Sequence, residues 1–395
     1  VKHPLIVQKF GGTSVGTIEN IHRVAEHIIK AKNQGNQIVV VVSAMSGETN
    51  RLMDLAKQID SVPTARELDV LLSTGEQVSM ALLAMALNKQ GYSSRSLTGV
   101  QANIITDHQH NNASILSIDT SAIEALLSQD VIVIVAGFQG VNQYGDITTL
   151  GRGGSDTSAV TLAGALQSDE CQIFTDVDGI YTCDPNVVPE AKKIDVIDCI
   201  SMEEMAYRGA KILHLPSVQY ARKNCVPLRV LSTFSLSEGS LLKGNEPEQP
   251  LCGIAIQRQM ICINLANDDY LSFERQCKML GVHIWSVFEH KDGVTIIIKH
   301  EAYAKLELIF GDKIIISEEV SLLTLVGQQL HGLLELSDAL LAEQGIKVIH
   351  SSVNQGSLTW VLSSESIDKA ANILHHAYFV SAQAINHRPK RVCSS

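Results

Sequence analysis

Three short runs rich in β-branched residues, Ile38–Val42, Val131–Ala136 and Gln172–Thr175, are separated by amphipathic stretches of helical period. Such runs, apolar on both faces, read as buried parallel strands, because crossover helices cover both sides of a parallel sheet. Each run ends in a polar or glycine-bearing turn: Ser43-Ala44-Met45-Ser46-Gly47, Gly137-Phe138-Gln139-Gly140 and Asp176-Val177-Asp178-Gly179. Ligands of open α/β sheets bind beyond the carboxyl ends of the strands. Those turns are therefore where the chemistry is sought.

A length of 395 residues calls for two or three domains, and 45% apolar with 18% charged residues suffices for a large core. The formal charge of −11 argues against nucleic acid or an anionic membrane surface as the main partner. Apolar runs such as Ile38–Val42 are far short of the roughly 20 residues that cross a bilayer, so no membrane span is expected. The opening residues lack the pattern of a secretory signal. The eight cysteines, from Cys171 to Cys393, form no C-x-x-C pair. A reducing cytoplasm with buried thiols is the expectation.

Composition divides the chain. Residues 1–243 carry the strand–helix alternation, and the polar, proline-rich stretch 244–250 reads as a linker. Beyond it, 251–318 and 319–380 form a weak internal repeat of short strand–helix–strand units. The first has strands near 254–265, 282–289 and 293–299 with a helix over 269–280. The second has strands near 320–326, 346–352 and 357–362 with helices over 331–344 and 366–377. The order is ferredoxin-like. A basic, polar tail, 381–395, ends the chain.

Five motifs carry candidate chemistry. Lys9-Phe10-Gly11-Gly12-Thr13-Ser14-Val15 lies between an apolar run and a helix over Ile18–Lys32. Its glycines admit a phosphate to backbone N–H groups, the helix N-terminus adds partial positive charge, and Lys9 adds a full one. A plain turn capped by Thr13 or Ser14 is the alternative. Gly151-Arg152-Gly153-Gly154-Ser155-Asp156 opens a second helix, and a glycine-framed arginine suits bidentate capture of a carboxylate. Ser155 and Asp156 also fit as ordinary capping residues. Ser73-Thr74-Gly75-Glu76 is either a capping box or a site where Glu76 holds an ammonium group. Thr175-Asp176-Val177-Asp178-Gly179-Ile180-Tyr181, with Asp184-Pro185, is rich in acceptors for a ribose or adenine. It lacks the bidentate glutamate of a calcium loop. Lys211 is a second phosphate contact or a solvated lysine.

Together "KFGGTSV", "VVSAM", "STGEQ", "TLGRGGSDT", "FTDVDGIYT-DP" and "GAKILH" resemble the signatures of the aspartokinases, in the amino-acid kinase superfamily, over roughly the first 235 residues. The resemblance implies an αβα sandwich with a mainly parallel sheet, followed by two ferredoxin-like regulatory ACT modules. It implies ATP-dependent phosphorylation of the L-aspartate β-carboxylate, assisted by Mg²⁺, as the first step towards lysine, threonine and methionine. Lys9, Gly11 and Gly12 would hold the transferred phosphate, and Asp156 would orient the catalytic groups. Ser43, Glu76, Arg152, Gly153, Gly154 and Ser155 would hold aspartate. Thr175, Asp176, Tyr181, Asp184, Pro185 and Lys211 would surround the nucleotide, with no protein metal site. Related kinases of glutamate or acetylglutamate, or a non-catalytic ligand-binding homologue, are the competing readings.

The chain departs from the family pattern in three places. Asn186 stands where arginine is usual, and His214-Leu215-Pro216-Ser217 replaces His-Pro-Arg. Both departures are expected to stay clear of the transfer centre. The strand-to-helix turns that clasp an effector in this family read Ala266-Asn267-Asp268-Asp269-Tyr270 in the first module and Val326–Leu333 in the second. The first has no glycine or proline and two carboxylates that would repel an effector's own. A homodimer through the ACT modules, with weakened lysine or threonine control and at most one effector site per chain, is the expectation.

Overall fold

The computed structural model describes residues 3–381, apart from Glu248, Asp292, Gln329 and His331. Beyond Ser381, the expected tail lies outside the described residues. The chain forms two compact units. The first comprises Val1–Ile180, Lys193–Glu203 and Lys211–Glu248; the second comprises Tyr181–Lys192, Glu204–Ala210 and Gln249–Ser395. The two short middle segments, which the composition places with the catalytic part, thus belong to the second unit.

In the first unit the order is β1 (Leu5–Phe10), α1 (Ile18–Asn33), β2 (Gln37–Val42), α2 (Glu48–Ile59), α3 (Ala65–Leu72), α4 (Thr74–Lys89) and β3 (Ser94–Leu97). Then come β4 (Ile132–Ala136), α5 (Gly154–Ala165), β5 (Glu170–Thr175), β6 (Val196–Ile197), α6 (Leu215–Asn224), β7 (Leu228–Ser232) and β8 (Ser240–Leu242). The main sheet has the order β6-β8-β7-β5-β1-β2-β4-β3. Its central pairs, β5–β1, β1–β2 and β2–β4, are parallel, while β7 and β8 run antiparallel. Val39 to Val42 are fully buried, as strands covered on both faces must be. Ile21, Val24, Ala25, Ile28 and Ala31 give α1 one buried face at helical spacing. A small four-stranded sheet over 104–149 flanks this layer system.

The helical stretch Ala65–Lys89, spanning α3 and α4, is long and apolar enough to cross a membrane by length and composition. Short apolar runs miss it because its apolar residues are interspersed with small and polar ones. Of its most apolar 18 residues 56% are buried, and Met80, Leu83, Ala84 and Leu87 belong to the core beneath the parallel sheet.

The second unit contains β9 (Leu251–Leu265), α7 (Asn267–Leu280), β10 (Ser286–His290), β11 (Gly293–Lys299), α8 (His300–Phe310) and β12 (Ile315–Gly327). It continues with α9 (Leu333–Glu343), β13 (Val348–Asn354), β14 (Ser357–Ser363) and α10 (Ile367–His375). One antiparallel sheet results, in the order β10-β11-β9-β12-β14-β13. Each repeat therefore supplies three strands, and β9 and β12 each act as the fourth ferredoxin-like strand of the other repeat. Helix α8 escapes the sequence reading because Leu308, 90% exposed, and Ile309 blur its apolar period. Cys183 and Val188 pack in the core around Trp360, Leu323 and Leu358. Thr182 and Val187 bond to His375 and Asn372 of α10, which explains why the segment Tyr181–Lys192 belongs here.

Candidate active site

At the carboxyl end of β1, the Gly11 N–H donates to the Phe174 carbonyl at 3.2 Å, tying this turn to the end of β5. Thr175 and Asp176 follow directly, joined by a 2.9 Å bond from Thr175 Oγ1 to Asp176 Oδ1. The Lys9 ammonium group lies beside Gly11, 3.5 Å from where a Cβ would project. A Cβ on Gly12 would stand 3.0 Å from the Ala44 carbonyl, so the β1 and β2 turns touch. The helix after this motif is capped by Thr17, which accepts from the Asn20 N–H. Thr13 and Ser14 are thus released from capping, and Ser14 Oγ instead meets Thr233 Oγ1 at 2.7 Å.

Lys9 Nζ stands 2.6 Å from Asp156 Oδ1, with both side chains about nine-tenths buried. The two residues come from β1 and the first turn of α5. Asp156 Oδ1 receives no hydrogen bond of good angle, so the contact is an ion pair that leaves acceptor capacity. The cap of α5 is Gly153, at φ +71°, with no side-chain cap bond. Ser155 and Asp156 therefore do no capping. The His214 ring covers Gly153 so closely that a Cβ there would fall 2.3 Å from Cγ. A side chain at 153 is barred by both this contact and the backbone angle. His214 Nε2 is also 4.0 Å from Asp156 Oδ2, and Ser217 Oγ lies 3.5 Å from Thr157 Oγ1. The segment His214–Ser217 is held against Gly153, Asp156 and Thr157 because α6 packs beside α5.

Glu76 lies in the first turn of α4 and is 3% exposed. Its Oε1 accepts from the Ala44 N–H at 3.0 Å, while Oε2 is buried without a hydrogen-bond partner. Burial pushes its carboxyl up to about 7, against the opposing Ala44 hydrogen bond. The capping box is absent: Ser73 makes no cap bond and its Oγ donates to Val70 O. Glu76 is a buried acid aimed at something other than its own helix. Ser79 Oγ donates to the Ser43 carbonyl at 2.7 Å and fixes the Ser43 turn to α4. Across the sheet, a Cβ on Gly137 would stand 2.9 Å from Ser155 Cβ, which brings the β4 turn against α5.

Lys9, Gly11, Gly12, Ser43, Glu76, Ser155, Asp156, Thr175 and Asp176 thus cluster on strand ends and adjoining helix starts of one sheet. Arg152 is exposed, without an ion pair or hydrogen bond among the described residues. Lys211 is likewise exposed. Tyr181, Asp184 and Pro185 fall in the second unit. There the Asp184 carboxylate accepts from the Asn186 N–H and side-chain amide, so Asn186 closes a local turn. Ser79 and the Ala44 N–H escape sequence reasoning, because a serine inside a helix and a backbone amide carry no local signal. His214 lies in the "GAKILH" signature, but its place beside Gly153 and Asp156 is set by packing.

The amino acid kinase family model matches residues 4–232. Aspartokinase from Geobacillus stearothermophilus is 39% identical over 96% of this chain and 98% of its own length. The chain belongs to the aspartokinases of the amino acid kinase family. Aspartate kinase from Pseudomonas putida is 57% identical over 64% of this aspartokinase chain, a match that spans 63% of the length of that relative. Among solved structures, aspartate kinase from Synechocystis is 35% identical with a TM-score of 0.57, covering 95% of this chain and 70% of that one. Escherichia coli aspartokinase III in complex with aspartate and ADP shares the fold, with a TM-score of 0.79 at 23% identity over 95% and 100% of the two chains.

Proposed function

We propose that this chain transfers the γ-phosphoryl group of ATP to the β-carboxylate of L-aspartate, giving 4-phospho-L-aspartate and ADP. The observation that carries the reading is the buried Lys9–Asp156 pair at the same sheet edge as a buried acid, Glu76, with one oxygen unsatisfied and the other bound to the Ala44 turn that touches Gly12. Relatives named aspartokinase and aspartate kinase support it.

The β-carboxylate is ionised at neutral pH, so its oxygen attacks the γ-phosphorus without a general base. The P–O bond to the leaving ADP breaks as the new one forms. Catalysis is positioning and charge stabilisation. Lys9 meets the charge on the transferred group, with Asp156 holding the ammonium in place. The Gly11–Gly12 turn and the start of α1 offer N–H groups to phosphate oxygens. Glu76 Oε2 takes the α-ammonium group of aspartate, and Arg152 takes its α-carboxylate. Among the described residues no group of three or more His, Cys, Asp or Glu side chains forms a metal cage. Asp156, whose Oδ1 keeps acceptor capacity, would hold Mg²⁺, which would supply charge neutralisation for the phosphates. Within the first unit, Thr175, Asp176 and Lys211 are assigned to the nucleotide.

An acetylated amino acid would leave Glu76 without a cation, which disfavours acetylglutamate. ATP turnover measured with aspartate, glutamate and acetylglutamate tests the reading. Turnover with aspartate alone is expected, and equal turnover with glutamate overturns the substrate assignment.

Residues 1–243, apart from 181–192 and 204–210, are proposed as the catalytic domain, and 251–318 and 319–380 as paired ACT modules. Exposed Leu271, Met279, Leu308 and Ile315 on the first module support a homodimer formed there. Asp269 is paired with Lys313 at 2.7 Å, but Asp268 remains in the first turn of α7, so this turn still disfavours an amino-acid carboxylate. An effector is assigned to the second module alone. A cytoplasmic setting is proposed from the scattered cysteines, which are free among the described residues.

A further inference from the structure

A fully buried carboxylate outside the transfer centre, Asp69 on α3, receives its bonds from segments that flank the Arg152 loop. Its Oδ1 accepts from Thr149 Oγ1 at 2.5 Å and from the Asn111 N–H at 3.0 Å. Its Oδ2 lies 2.6 Å from His110 Nδ1. A carboxylate only accepts, so His110 carries its proton on Nδ1. A buried ionic network is costly and contributes little to stability that apolar packing could not supply. Geometry is what this one provides.

Thr149 stands three residues before Arg152, and its carbonyl accepts from the Ala113 N–H at 2.9 Å. Next along, Gly151 lies flat against the 111–112 backbone, where a Cβ would come 3.2 Å from Asn111 O and 2.9 Å from Asn112 Oδ1. On the far side, His214 covers Gly153. Among the described residues Arg152 has no partner of its own, so its place is set by these anchors. Asp69 and Glu76 lie seven residues apart on a stretch that stays helical through Ser73, at φ −61° and ψ −18°. Seven residues are nearly two turns, which puts both acids on one face about 10 Å apart.

We propose that Asp69 is a positioning residue for substrate recognition, fixing the Arg152 loop through Thr149 at a set distance from Glu76. One helical stretch then gauges both ends of the amino acid, the ammonium group at Glu76 and the α-carboxylate at Arg152. The proposal rests on the assignment of Arg152 to the substrate carboxylate.

The test is steady-state kinetics on Thr149→Val, Thr149→Ser, Asp69→Asn and Arg152→Lys, with the double variant Thr149→Val/Arg152→Lys. Thr149→Val is nearly isosteric and removes only the donor. It is expected to raise the aspartate KM about tenfold, the loss of one well-placed hydrogen bond, with the ATP KM unchanged. Asp69→Asn should do the same, and Thr149→Ser, which keeps the hydroxyl, should restore the parent KM. Because Thr149 acts through Arg152, the double variant should be no worse than Arg152→Lys alone. Variants that melt earlier yet keep the parent aspartate KM overturn the proposal and leave Asp69 a stabilising residue. A raised aspartate KM in Arg152→Lys beside an unchanged one in Thr149→Val overturns the proposal alone. An unchanged KM in Arg152→Lys overturns the assignment of Arg152 and the proposal with it.

Discussion

Glu76 makes the pH dependence of aspartate use a test of the site. Its carboxyl sits at about 7 in the ligand-free protein, raised from 4.5 by burial. Only the ionised form can pair with an ammonium group, so below pH 7 aspartate must first displace a proton. The apparent aspartate KM should therefore climb towards tenfold per pH unit below 7. It should be about 30-fold higher at pH 5.5 than its plateau, and within about 10% of that plateau at pH 8. The stability sign is opposite. A raised carboxyl favours the protonated folded form, so the ligand-free protein loses stability as pH rises from 4.5 through 7. The loss is on the order of 3 kcal/mol, and saturating aspartate should offset it. The assay is initial-rate kinetics from pH 5.5 to 8 at saturating ATP, beside thermal melts with and without aspartate. Glu76→Gln should flatten the KM profile at a high value. A parent KM constant across this range, or a glutamine variant with the same slope, refutes the reasoning.

Lys9→Ala should lower kcat by about 10²–10³-fold, the usual loss for one electrostatic stabiliser, with a smaller change in ATP affinity. It should also lower thermal stability, because Asp156 is left as a buried unpaired charge. Arg152→Lys should raise the aspartate KM and spare the ATP KM, since lysine keeps the charge without the planar fork. Gly153→Ala should abolish most activity through displacement of His214 and Asp156, read as lost kcat/KM with a folded circular dichroism spectrum. Trp360→Ala, fully buried and bonded from Nε1 to Asp338 at 2.8 Å, should cost about 3–5 kcal/mol in chemical denaturation of the second unit. Titrating lysine and threonine against activity checks control: inhibition lost only on mutating Asp268 or Asp269 would place a working site in the first module.

By itself the sequence determined the local elements and their class. The runs at 38–42, 131–136 and 172–175 could only be covered strands, and the glycine turns after them marked the edge where the site forms. Lys9, Glu76, Arg152 and Asp156 were legible because each sets a charge within two residues of a glycine at a strand end or helix start. Whether such a residue serves its own helix or a distant partner was decided only by tertiary structure. Ser73 and Glu76 have the spacing of a capping box, yet Glu76 turns to Ala44 in another turn. Ser155 and Asp156 look like caps, yet Asp156 meets Lys9 across the sheet. Asp69 looks like an ordinary helical acid until Thr149 and His110 close on it. Strand and helix periods are short-range and written in neighbouring residues. The partners of a buried charge lie up to 147 positions away, at Lys9 and Asp156, and only chain packing brings them together.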